Sequence, residues 1–142
     1  MIYPALLHTH SGLRYLILAL LIFAFLKSLF AWLQKTDYRK IDDRLAFFTM
    51  IFIHIQFLIG LTLYFISPKV AFTDMAITMK NSMLRYFTVE HIFLMLVVVV
   101  LVTIGRIVSK KKTKATQKHK VISIYFGLSL LLIILTVYVM IP

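Results

Sequence analysis

The chain has 142 residues, 61% of them hydrophobic, with a mean hydropathy of +0.94 and a formal net charge of +11. That composition excludes an ordinary water-soluble domain, and the absence of cysteine excludes disulfides, c-type haem attachment, iron–sulfur ligation and thiolate zinc sites. So basic a chain would suggest nucleic acid if it were soluble; here the charges sit in loops and at the ends of apolar runs, so the partner read is the lipid bilayer and not nucleic acid.

A hydrocarbon core of about 30 Å takes about 20 helical residues to cross. Four apolar runs meet that length, and with short loops they fill residues 1–142 as a single membrane domain. The first span covers about 5–33; Pro4 suits a first helical position, and the absence of a basic leader makes it a retained helix. The second covers 45–66 and stops at Ser67-Pro68. In the following loop Thr73-Asp74 reads as a helix N-cap, and Met75, Met79 and Met83 repeat at i, i+4 and i+8, which predicts a short amphipathic helix on the membrane surface. The third span covers about 86–108 and the fourth 121–141. The expected fold is an all-α four-helix transmembrane bundle.

Twelve of the sixteen Lys and Arg residues fall on the side of the first and third loops, from Lys27 to Arg44 and from Arg106 to Lys120. The positive-inside rule makes that side cytoplasmic and places both termini on the periplasmic side of a bacterial inner membrane. Tyr3, Tyr64, Tyr86 and Tyr138 are expected at the outer interface, Trp32 and Tyr38 at the inner one.

Histidine is the chemical signal. A neutral imidazole in hydrocarbon needs partners for its ring nitrogens, and His8, His10, His54 and His91 all fall within the spans. His10 and His91 each lie five residues inside an outer span end, so both sit roughly 7–8 Å deep at the helical rise. They are the best-matched pair. His8 is shallower, at roughly 4–5 Å, and His54, twelve residues from Ile66, is roughly 18 Å deep. His8 and His10 lie on different helix faces if the helix has begun, and both reach one metal only if that end is frayed. His119, among lysines, reads as a solvated loop residue.

Arg14 shares a face with His10, and Glu90 is the acid inside a span. Arg14 pairs either with Glu90 or with a haem propionate, and Arg85 is a second propionate candidate. Ser11-Gly12 and Gly60 would admit a flat macrocycle to the backbone, or would simply tighten helix packing.

The run Leu7-His8-Thr9-His10-Ser11-Gly12-Leu13-Arg14-Tyr15, the segments His54–Gly60 and Met83–His91, and the ending Ile104-Gly105-Arg106 resemble small bacterial four-helix membrane proteins described as cytochrome b-like. A looser similarity is to CopD-type copper-resistance membrane proteins. The first resemblance implies a non-covalent b-type haem. The paired histidines that larger cytochromes b carry along one helix are missing, since the residue that would complete the pair with His91 is Gly105.

Three functions follow as expectations. The first is membrane electron transfer with one haem b in the outer half, His10 and His91 as axial ligands, His54 or His8 as substitutes, and Arg14 and Arg85 facing propionates. Such a protein is more an electron carrier or accessory subunit than a complete enzyme, and it needs a membrane or periplasmic redox partner. The second is copper handling by His8, His10, His54 and His91, with the Met stripe as an entry path. The third is a structural subunit of a larger complex, with or without homodimerisation, whose polar residues serve helix packing.

Overall fold

The computed structural model describes residues 2–142. Four helices are long and apolar enough to cross a membrane: α1 (Ile2–Gln34), α2 (Lys40–Ile66), α4 (Ser82–Lys111) and α5 (Ala115–Val139). The short α3 (Met75–Lys80) lies in the connection between α2 and α4. The helices alternate in direction because the connections at 35–39 and 112–114 are too short to do anything else. Around the bundle, α1 packs on α2 and α5, and α4 packs on α5 and α2. Both termini therefore share one end with α3, called here the terminal end; the other is the basic end.

The interior is small and apolar. Ile17, Leu21 and Ala24 of α1 meet Ala46 and Ile53 of α2, Val98 and Val102 of α4, and Ile122, Phe126 and Ile133 of α5. The outside is equally apolar: Phe23, Phe30, Leu58, Phe65, Phe93 and Leu131 are all more than half exposed. Water would not tolerate such a surface, and a bilayer covers it. The chain is a multi-pass membrane protein. Close helix approach depends on glycine at two places. A Cβ on Gly105 would lie 2.5 Å from Tyr125 Cβ, and one on Gly127 would lie 2.6 Å from the Phe25 ring.

Helix ends follow local chemistry. At the end of α1 Lys35 takes a left-handed conformation (φ 54°), while the Thr36 and Lys35 amides bond back to the Ala31 and Trp32 carbonyls at 3.0 and 3.3 Å. The Asp42 carboxylate accepts from the Arg39 amide at 2.9 Å and fixes the start of α2. Helix α2 stops at Ser67 because Pro68 forces the residue before it into an extended conformation. Asp74 caps α3 by accepting from the Ile77 amide at 3.3 Å. The amphipathic helix expected there is shorter than the methionine spacing suggests: Asn81 ends it and caps α4, so Met83 belongs to the next helix and the stripe is divided.

Two turns are π-helical: Tyr86–Glu90 within α4 and Leu135–Val139 at the end of α5. The Tyr86 hydroxyl, in the first, donates to the Thr136 carbonyl, in the second, at 2.6 Å. Tyr86 is thus 2% exposed, buried between helices and not at the interface where its position in the chain would place it. Tyr64 donates to the Thr88 carbonyl at 2.9 Å, so both α2 and α5 hold the π turn of α4.

The basic end has its own polar lattice. Lys27 pairs with Asp42, and Arg106 pairs with Asp43. Tyr38 donates to Asp43 at 3.3 Å; burial and that carboxylate push its hydroxyl pKa up to about 12, so it remains a donor. His119 corrects the sequence expectation: it is 1% exposed, inside α5, with Nε2 on the Asp37 carbonyl at 3.0 Å and its ring 5.1 Å from that of Tyr38. The physical reason is that α5 begins at Ala115, two turns before hydropathy rises, and turns His119 inward.

Candidate functional site

In the terminal half the four helices separate around a cavity of about 310 Å³. Its α1 wall is Tyr3, Leu7, His10, Arg14 and Ile17, spaced so that one helix face supplies them all. Gln56, Phe57 and Gly60 come from α2, His91 and Met95 from α4, Ile133 and Val137 from α5.

His10 and His91 meet across this cavity. Their ring centres are 6.4 Å apart and their planes stand at 85°. His10 is seated on Gly60, where a Cβ would come within 3.0 Å of its Cε1. His91 is aimed by the π turn. Its amide bonds to the Tyr86 carbonyl five residues back, and its ring lies 5.6 Å from that of Tyr86. On an unbroken α-helix, residues five apart point about 140° away from each other; the π turn brings Tyr86 and His91 onto one face.

The cavity is also where hydrogen bonding is incomplete. Among the described residues five buried side-chain polar atoms lack a partner, and four border the cavity: His10 Nδ1, His91 Nδ1, Arg14 Nε and Gln56 Oε1. Buried polar atoms are rarely left bare, and their gathering here marks a place for a guest. Gln56 spends its amide nitrogen on the His10 carbonyl at 2.7 Å, tying α2 to α1 beside the imidazole.

The residues fit a haem. A metal–imidazole bond is about 2 Å long, so two imidazoles on opposite sides of one ion have ring centres about 6 Å apart. The surrounding wall is largely aliphatic and aromatic, as a macrocycle requires.

The other candidates are placed elsewhere. His8 is exposed on the opposite face of α1, which is helical from Ile2, so it does not join His10 at one metal. His54 lies outside the cavity lining, and its Nε2 is bonded to the Thr103 hydroxyl of α4 at 2.8 Å. Among the described residues no three His, Asp or Glu side chains converge on a metal position. Met75, Met79 and Met83 are exposed. Glu90 pairs with Arg85 at 3.0 Å and not with Arg14, and Arg85 also donates to the Met79 carbonyl at 3.1 Å. Neither lines the cavity. The reason is again the π turn, which lets residues 85 and 90 face each other. Gly12 is exposed with open space beside it, so of the glycines expected to admit a flat guest Gly60 alone borders the cavity. Tyr86, expected only at the outer interface, borders the cavity, and its place there depends on a partner fifty residues away that no local pattern reveals.

Comparison with protein-family models, with characterised proteins and with solved structures gives no match.

Proposed function

We propose that this is a membrane-bound b-type haem protein, an electron carrier or cytochrome-like subunit, with one non-covalent haem in the terminal half of the bundle between His10 and His91. The observation that carries the reading is the 6.4 Å separation of the two imidazole centres across an apolar cavity. When bound, the group supplies one-electron redox chemistry.

The protein's part is positioning. Gly60 gives His10 its seat, the π turn aims His91, and Ile17, Ile53, Phe57 and Val137 keep water from the site.

The charge asymmetry supports an orientation with the termini and the cavity on the periplasmic side of a bacterial inner membrane. A single haem near one face does not carry electrons across the bilayer. A redox partner in the membrane or the periplasm completes the path.

The test is pyridine-haemochrome analysis of protein purified in mild detergent from haem-replete cells, with metal analysis of the same sample. One b-type haem per chain is expected. Protein that carries no haem, with or without copper, overturns the reading.

A further inference from the structure

Among the described residues Arg14 forms no ion pair. The chain has five acidic residues. Asp42 pairs with Lys27, Asp43 with Arg106 and Glu90 with Arg85. Asp74 caps α3, and Asp37 is exposed in the loop at the opposite end. Arg14 is thus a cation in a membrane-spanning helix with every aspartate and glutamate engaged elsewhere or out of reach, and an intramembrane charge is expected to be paired.

Its surroundings show which way the missing anion lies. One terminal nitrogen, Nη2, donates to the Tyr15 hydroxyl at 2.9 Å, and the guanidinium lies 4.8 Å from the Tyr15 ring centre and 5.7 Å from that of Tyr138. Those contacts hold the outer edge. Nε is buried without a partner, and the side chain lines the cavity together with the bare Gln56 Oε1. A carboxylate entering from the cavity would meet a guanidinium edge that is already held in place. A protonated acid or an ordered water on the same guest would satisfy Gln56.

We infer that Arg14 is the acid-binding residue of the cavity, and that the guest carries a carboxylate that pairs with it. The inference rests on the haem reading, in which that carboxylate is a propionate. Of the two arginines expected at propionates it leaves Arg14, since Glu90 occupies Arg85; the exposed Lys69 at the cavity mouth lies over the Phe87 ring at 5.0 Å.

The experiment compares ferric haem b with its dimethyl ester, in which both carboxylates are masked. Each is titrated into haem-depleted full-length protein in nanodiscs of neutral lipid, and binding is followed by Soret absorbance. Wild type is expected to bind the free diacid at least about tenfold more tightly than the ester, as a charged hydrogen bond lost from a buried site would give. Arg14→Gln is expected to bind the two alike, Arg14→Lys to recover part of the preference, and Arg85→Gln and Lys69→Gln to keep it.

Equal affinity of wild type for both forms overturns the inference while leaving the haem reading standing, and needs no variant to fold. A preference that survives in Arg14→Gln, or vanishes in Lys69→Gln, overturns the assignment to Arg14. Loss of a tightly held anionic lipid from Arg14→Gln, with no preference in wild type, assigns the guanidinium to a lipid phosphate instead. Wild type that binds neither form overturns the haem reading itself.

Discussion

Tyr86 and Thr136 join the two irregular turns of the bundle: the phenol of one donates to the main-chain carbonyl of the other at 2.6 Å, with both residues buried. The bond crosses from α4 to α5 one turn before His91. It couples the aim of that imidazole to the packing of the last helix. Tyr86→Phe leaves the Thr136 carbonyl without this donor, a loss of about 1–3 kcal/mol for a buried group. The variant is expected to melt earlier in detergent and to bind haem several-fold more weakly, measured by thermal unfolding and by Soret titration. Unchanged haem affinity would separate the latch from the site.

Gly60 makes a second prediction. A methyl group there comes within 3.0 Å of His10 Cε1, so the ring must move away from α2. Gly60→Ala is expected to assemble in the membrane and to lose most of its haem. Gly12→Ala, at an exposed position with nothing near its Cβ, is expected to keep a full complement. Haem-to-protein ratio on matched preparations checks both.

His54 is expected to be a packing residue. Its partner is Thr103, which also donates to the Val99 carbonyl at 2.7 Å. Thr103→Val removes the partner and should cost about 0.6 kcal/mol, the average for interhelical hydrogen bonds in membranes, and at most about 1.7 kcal/mol. Thermal unfolding should register that loss while haem content stays at the wild-type level. Haem lost in proportion would bring His54 into the site.

How far the chain could be read depended on whether a feature was local. The four spans follow from length and apolarity, and the pairing of His10 with His91 follows from counting residues inward from span ends, because helical rise is nearly constant. The π turns escape that counting. They insert a residue into a helical turn, and what holds them open is Tyr86 reaching Thr136 and Tyr64 reaching Thr88, contacts that depend on the packed bundle. That hidden feature also decides between the two partners left open for Arg14, because residues 85 and 90 point apart on a regular helix and together across a π turn, so Glu90 goes to Arg85. His119 escaped for a different reason. Hydropathy marks where a helix enters lipid, whereas α5 starts earlier, in a lysine-rich segment, and carries His119 under Tyr38.

The basic end gives a further prediction. Arg106 is 6% exposed and its counter-charge is Asp43, whose side chain is 42% exposed. Asp43→Asn leaves the guanidinium buried beside a neutral amide. The cost is expected at about 1–3 kcal/mol, below that of a wholly buried pair because water reaches Asp43. Thermal unfolding should show the loss, and haem content, which the proposed site places at the far end of the bundle, should be unchanged.

Low-temperature electron paramagnetic resonance of the ferric protein, with His10→Ala and His91→Ala beside the wild type, tests directly whether the two imidazoles share one iron. Two imidazoles on one iron give a low-spin signal, and ring planes at 85° make that signal strongly anisotropic. That signal is expected in wild type, with conversion to high spin or loss of haem in each variant. A high-spin wild type, or a low-spin signal that survives either substitution, would contradict it.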